Sequence, residues 1–495
     1  MFYWENINPP WLIITSLIAV LGALFTPSWT AVFRRKAVLP TVRSRWPWQS
    51  IPRALEADPD RFFAETTRKH GPAFAVHANG RKMIYVTNAT LIAAIYKNSK
   101  SFVMSPLQGL WAKNCFGFPN RMLSSPVLGD IMASMHRDLS PKVVSSLLQS
   151  LASEGCSIID ARVLPPAGKH QGLLPFILDL AFDASTRSVF GPGMAALSPA
   201  FREAFWAFDT NLPRVAFGCP PQKVPGFEKH REYLVTEIIS TLKDEKHHEG
   251  SELASSCISL GVNGGWSDSD IARILLGILW PLLANAPNAI FWLFALQLQH
   301  PDGLKPLVDE IDRAWELWRK KNPGANNYVD FAKDLPELPL LKSAIDETLR
   351  YASSSYSMRQ VHEEGGTAIG SYFLQPGEQV VCVTRSVHLD ENIYDDPLRY
   401  DPNRFLTHTG SPTVPSHAHM PFGGGISICE GRHYAVGKIR ILTVLILLEF
   451  VIELDGRSPS TVKFAPDNRG FGMIRPDGDL NVKIRRRSRP AESQK

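Results

Sequence analysis

The sequence predicts a mostly helical α+β fold in one large domain, set behind an apolar N-terminal segment. Three observations predict it. From Val86 to about residue 360, stretches of helical length and apolar spacing dominate. Strand signals fall near both ends of the chain instead. No internal repeat, low-complexity tract or interdomain linker divides the 495 residues, so helices and small sheets are expected to share one core.

The elements follow in order. Trp11 to Phe25 is uncharged and almost wholly apolar, and with its weaker extension to Phe33 it approaches the roughly 20 residues that span a bilayer. Trp4 and Trp11 suit the interface, and Arg34-Arg35-Lys36 follow directly, placing the bulk of the chain on the cytoplasmic side. A cleaved signal peptide is disfavoured because no positive charge precedes the run. Residues 1–33 are therefore expected to be a membrane anchor, 34–57 a Pro-rich connector and 58–495 the globular domain. That domain should open with a helix at Asp58–His70. Strands Ala73–His77 and Lys82–Val86 follow, joined at Asn79-Gly80. Helices are expected at Pro141–Ala152, Pro199–Phe208, Tyr233–Glu245 and Ser267–Gln299, then strands at Gln379–Thr384 and Leu480–Ile484.

A net charge of +5, spread along the chain with no basic block interleaved with aromatics, argues against a nucleic-acid partner. The basic run Arg485–Arg487 reads as a solvated strand end. The six cysteines have neither CxxC pairs nor metal-ligand spacing, so most read as buried, reduced thiols.

Cys429 is the exception. It lies in Pro421-Phe422-Gly423-Gly424-Gly425-Ile426-Ser427-Ile428-Cys429-Glu430-Gly431, ahead of an apolar stretch from Tyr434 to Leu454. A phosphate-cradling loop would need a preceding strand and a Lys-Ser/Thr at the helix start, which are missing. A Cys429–His433 nucleophile pair has no visible orienting third residue. A thiolate metal ligand suits the loop. Glycines let the backbone wrap close to the sulfur, and the helix behind presents its positive N-terminal end. A single cysteine so placed suits the axial ligand of a haem iron.

These residues resemble the cytochrome P450 superfamily. Phe422, Gly425, Cys429 and Gly431 match its Phe-x-x-Gly-x-x-x-Cys-x-Gly loop, and Arg432 and Ala435 its continuation. Ile345-Asp346-Glu347-Thr348-Leu349-Arg350 carries its Glu-x-x-Arg, and Tyr400-Asp401-Pro402-Asn403-Arg404-Phe405 its Pro-x-Arg-Phe element. Gln375-Pro376-Gly377-Glu378 and Arg385–Asp390 resemble its strand entry and following loop. The resemblance runs from about residue 58 to the end. It implies the P450 fold, haem b ligated by Cys429, and a buried Glu347–Arg350–Arg404 triad locking the haem core. It places Arg359 at a frequent propionate position, with His136 and Arg137 near a second. Ser427 stands where a propionate-binding Arg or His is common, so His136, Arg137 or Arg359 must compensate if buried.

The helix from Ser267 should cross the distal face of the haem. Most of the family carries an acid–alcohol pair there, which relays protons to dioxygen. This chain has Asn285, Pro287 and Asn288 instead, expected to shape the oxygen site, and its prolines should open the helix locally. Asn285 is read either as a direct substrate or oxygen contact or as a polar residue satisfying a carbonyl freed by Pro287. Trp280…Asn285…Phe291-Trp292 and Ser427 look most like the branch of bile-acid sterol hydroxylases and prostacyclin synthase. Ser353-Ser354-Ser355 is read as pocket-lining hydroxyls or a solvated loop. Phe201, Phe205 and Phe208 share one helical face, more in keeping with core packing than with a cavity roof.

The resemblance implies a haem-thiolate monooxygenase of the endoplasmic reticulum membrane, single-pass, with a cytoplasmic catalytic domain. It would draw electrons from an NADPH-dependent reductase and oxidise a lipophilic sterol, terpenoid or alkaloid scaffold, as in natural-product biosynthesis. The rival readings are a haem-thiolate isomerase or dehydratase needing no external electrons, and a non-catalytic haem sensor.

Overall fold

The structure is a computed structural model. It describes residues 39–42 and 54–487, apart from 56, 79–80, 167–168, 196–197, 244–249, 325–326, 407–413, 457, 460 and 467. The expected anchor, most of the connector and the Asn79-Gly80 turn lie outside the described residues.

A seven-stranded mixed sheet forms one side of the molecule. Its strands are β1 (Thr41–Val42), β2 (Ala73–Ala78), β3 (Arg81–Val86), β4 (Phe102–Val103), β5 (Ser353–Val361), β6 (Gln379–Val383) and β7 (Phe471–Met473), in the order β1-β2-β3-β6-β5-β7 with β4 on β5. The β2–β3 hairpin pairs Ala75 with Ile84, β3 runs parallel to β6, and β5 pairs Ser357 with Cys382. Alternation sets the two faces: Ala75, Ile84 and Val380 join one apolar cluster, while Phe74, Tyr85 and Val381 join another. A separate sheet near the C-terminus joins Phe450–Leu454, Asn481–Arg486 and Gln171–Gly172.

The helices that position the site are α1 (Pro59–His70), α2 (Ala89–Lys97), α3 (Pro126–Asp138), α4 (Pro199–Ala216), α5 (Asp268–Ala284), α6 (Ala286–Gln299), α7 (Pro339–Ala352) and α8 (Arg432–Glu449). Asp58 caps α1 by accepting the Arg61 N–H, with Pro59 in the first turn. Helix α8 is buried from Ile439 to Glu449 except Arg440, and α6 is buried from Ala286 to Ala295, so these two apolar helices form the centre of the main core.

The long helix expected at Ser267–Gln299 is interrupted. Ser267 and Asp270 form a capping box at its start, α5 ends at Ala284, and α6 starts at Ala286 with Pro287 in its first turn. The α5–α6 stretch is apolar enough to cross a bilayer, yet 72% of its most apolar window is buried in the protein, as in a core helix.

Other expectations are sharpened or corrected. The helix expected at Pro141–Ala152 runs Val144–Ala161, and that at Tyr233–Glu245 runs Phe227–Lys243. Phe201, Phe205 and Phe208 on α4 are fully buried, with Phe208 stacked 5.0 Å from Phe227, so core packing holds. Ser353 and Ser354 are buried in β5, which excludes the solvated-loop reading. The expected loop after β6 is the short helix Thr384–His388. The C-terminal basic run is not simply solvated. Arg487 forms a two-toothed ion pair with Asp312 at 2.8 and 2.6 Å, and Arg486 pairs with Glu449 and donates to the carbonyls of Ile159, Asp160 and Arg162.

Candidate active site

The cysteine loop is a tight hairpin of backbone. The Cys429 N–H donates to Phe422 O at 3.0 Å, closing the loop, and Arg432 N–H and its guanidinium donate to Cys429 O. Gly425 is left-handed at φ +69°, and a Cβ there would sit 2.3 Å from Tyr96 O. Only glycine lets the loop lie that close to the end of α2. Gly431 caps α8, and a Cβ added to it would meet no atom within 4 Å.

Partial burial raises the Cys429 thiol pKa, while the Gly431 N–H and the Arg432 guanidinium pull the other way. The residue keeps an accessible face. An accessible single sulfur, steadied by an N–H and backed by an apolar helix, is a donor suited to one soft metal bond. Among the described residues no cluster of three His, Cys, Asp or Glu side chains could hold a metal by itself.

Glu347, Arg350 and Arg404 form an ion-paired core. Glu347 accepts from Arg350 Nε at 2.7 Å and Nη2 at 2.8 Å, with both side chains fully buried. Arg404 Nε bridges both Glu347 oxygens at 3.1 Å, and the Asp401 N–H adds a bond at 3.0 Å. One carboxylate cannot satisfy two guanidiniums. The remaining donors go to the carbonyls of His388 and Pro397 from Arg350, and of Asp395, Asp396 and Arg399 from Arg404. The triad thereby ties α7 to the meandering chain that leads into the cysteine loop. The neighbouring His388 is buried and accepts the Met420 N–H at Nε2, so its ring is neutral, and burial holds its pKa well below the usual histidine range.

Of the three expected propionate cations, only Arg359 is buried. On β5 it donates to Ser357 Oγ and Met358 O and lies 5.3 Å over the Tyr96 ring, with no carboxylate partner among the described residues. The Tyr96 hydroxyl is buried and lacks a hydrogen bond of good geometry, with Ser357 as its polar neighbour. A buried cation without an anion, beside an unpaired hydroxyl and against the cysteine loop, fits a carboxylate-bearing group such as haem. His136 is exposed and pairs with Glu430, next to Cys429, at 2.6 Å. Arg137 is also exposed and is occupied by Asp138 and Ser134.

The distal residues are used differently from a proton relay. Asn285 Oδ1 accepts the Met473 N–H of β7 at 2.9 Å, and a Cβ on Gly472 would strike that oxygen at 2.4 Å. Asn288 Nδ2 donates to Ala284 O at 2.8 Å, covering a carbonyl at the end of α5. Pro287 cannot donate to Leu283 O, which leaves that carbonyl without its helical partner. Trp292 Nε1 donates to Ile474 O at 2.6 Å. Trp280 Nε1 binds buried Asp209 at 2.8 Å, and Arg475 pairs with the same carboxylate at 2.6 Å. Burial raises the Asp209 pKa, against the pull of Arg475. Segment 471–475 is thus fastened at Met473 by Asn285 at the break, at Ile474 by Trp292 of α6 and at Arg475 by Asp209 of α4, which Trp280 of α5 also holds. Sequence reasoning missed Tyr96, Asp209 and Arg475. Only Asp209 left a trace, as an acid on the phenylalanine face of α4.

A lone thiol donor, a buried Glu–Arg–Arg lock and an opened apolar helix under one helical core define a haem-thiolate enzyme. The family model "Cytochrome P450" matches residues 223–482, and the chain belongs to that family. It is a cytochrome P450 monooxygenase. It is 24% identical to "Cytochrome P450 7B1" of Mus musculus over 95% of this chain and 97% of that one. It is 28% identical to "25-hydroxycholesterol 7-alpha-hydroxylase" of Rattus norvegicus over 72% and 90%. Among solved structures, "Retinoic acid bound cyanobacterial CYP120A1" superposes with a TM-score of 0.67 over 91% of this chain and 99% of that chain at 18% identity, a likeness of fold alone.

Proposed function

We propose that this enzyme hydroxylates a sterol, or a terpenoid or alkaloid scaffold of similar bulk, with electrons from an NADPH-dependent reductase. The observation that carries the reading is the distal helix. Trp280, Asn285 and Trp292 are all held in place around an opened backbone where an acid–alcohol pair is usual. That pattern resembles the sterol-hydroxylase branch, and curated relatives such as "Cholesterol 7-alpha-monooxygenase" of Cricetulus griseus are 26% identical over 91% of this chain.

In this reading Cys429 would supply the thiolate that holds the haem iron, and Phe422, Gly425 and Gly431 shape the loop that presents it. Haem, when bound, supplies the iron at which oxygen is activated. Arg359, with Tyr96, would hold a propionate of that group, and His136 and Arg137 would reach a second only by leaving Glu430 and Asp138. Glu347, Arg350 and Arg404 hold the loop rigid. Asn285 Oδ1 is committed to β7, which leaves its Nδ2, with no hydrogen bond among the described residues, to face oxygen or substrate. Pro287 and Asn288 keep the backbone beside it open. Residues 1–33 anchor the enzyme in the endoplasmic reticulum membrane, and residues 58–495 form one cytoplasmic catalytic domain.

The deciding experiment is the carbon-monoxide difference spectrum of the purified protein, reduced in parallel by dithionite and by NADPH with a reductase, followed by incubation with sterols. A red-shifted thiolate band under both reductants and a hydroxylated product support the proposal. A band with dithionite alone, persisting with candidate substrates, favours the isomerase. No band at all removes Cys429 from the role of ligand.

A further inference from the structure

Helix α8 carries a lysine that the site described above does not use. Lys438 lies nine residues after Cys429 and is fully buried. Its neighbours along the helix, Ile439, Ile441 and Leu442, are buried apolar residues. No carboxylate pairs with it among the described residues. Its one hydrogen bond runs from Nζ to Leu282 O at 3.0 Å.

That acceptor lies at the break. A helix leaves its last four carbonyls without helical donors, and α5 ends at Ala284, so Leu282 is among them. Asn288 covers Ala284 O from the far side of the break, and Lys438 covers Leu282 O from α8. An unpaired carbonyl shielded from water is costly, and Leu282 is half-buried while Ala284 is buried, so both substitutes stabilise the opened helix. A buried lysine without an anion is also costly, which is a poor choice for mere packing. Burial pushes its pKa down to about 7, and the neutral amine still donates.

We propose that Lys438 is a positioning residue: it pins the opened distal helix at Leu282 from the same helix that follows the thiolate loop. One rigid element then fixes both the cysteine loop, through Arg432 at its start, and the break at Asn285, through Lys438 one and a half turns further on. The substrate assignment plays no part in this inference, so it stands or falls independently of the sterol reading.

The test is hydrogen–deuterium exchange, followed by peptide, in the full-length haem-loaded enzyme. Lys438→Met removes the donor and keeps the bulk. Lys438→Gln keeps an N–H donor without the charge. Amides between Leu282 and Ala289 should exchange about tenfold faster in Lys438→Met, the loss expected for one hydrogen bond to a half-buried carbonyl. Peptides of α7 should be unchanged, and Lys438→Gln should restore protection. With reductase and NADPH, the fraction of electrons lost as hydrogen peroxide should rise in Lys438→Met and fall back in Lys438→Gln. Unchanged protection in Lys438→Met overturns the proposal, and so does equal loss in both variants. Should Lys438→Met not fold, Lys438→Gln decides alone: wild-type protection supports the pin, and lost protection overturns it.

Discussion

The thiolate side and the distal side of this enzyme are built on opposite principles. On the thiolate side, the Glu347 lock meets partners that lie close in the chain or in companion motifs: Glu347 pairs with Arg350 three residues on and with Arg404 at a separation of 57. On the distal side, Asn288 covers Ala284 four residues back, but the other partners come from far away. Asn285 reaches Met473 across 188 residues, Trp292 reaches Ile474 across 182, and Lys438 reaches Leu282 across 156. The first side satisfies fixed demands of charge and ligation. The second satisfies a backbone opened by prolines, with whatever donors and acceptors the fold brings near. A residue that looks catalytic by position can therefore be a clamp, as Asn285 Oδ1 is.

The sharpest way to break the comparison is at the thiolate. Cys429→Ala is expected to abolish turnover and Cys429→His to lose the red-shifted carbon-monoxide band; an intact band in either variant would sink the ligand assignment. Next in size is the lock. Glu347→Gln leaves two guanidiniums without their carboxylate and is expected to cost about 3–5 kcal/mol. Loss of folded, haem-loaded protein in expression and thermal melting would report it, and wild-type melting would contradict the burial argument.

The distal side should respond more mildly. Asn285→Ala strands the Met473 N–H and is expected to cost about 1–3 kcal/mol, while Asn285→Asp, which keeps an acceptor, should recover much of the loss. Denaturant titration separates the two. If Asn285→Ala leaves stability intact but wastes electrons as peroxide, the clamp is wrong and the oxygen contact is right.

The smallest effect is the acid limb of stability. His388 is neutral in the fold, with its pKa held well below 6.5, and burial holds His419 below 6.5 as well. Below that pH the unfolded chain takes up protons that the folded chain refuses, so stability should fall as pH drops, by up to about 1.4 kcal/mol per pH unit for each ring. His388→Gln should flatten part of that slope between neutral and mildly acidic pH. An unchanged slope would show that His388 is not the group responsible.

The sequence by itself determined the chemistry of the thiolate side and the course of the chain. Cys429 among glycines, the Glu347–Arg350 spacing and the helical periodicity are local constraints, and local constraints are written in neighbouring residues. It also predicted that Pro281 and Pro287 would disturb the distal helix; the break falls beside Pro287, while Pro281 stays inside α5. Tertiary structure alone decided what the disturbance is used for. Arg359 is a buried cation while His136 and Arg137 are exposed, since burial depends on what packs above a residue and not on its identity. Asn285 serves β7 and Lys438 serves α5, because a hydrogen bond belongs to whichever partner the fold places about 3 Å away, however distant it is along the chain.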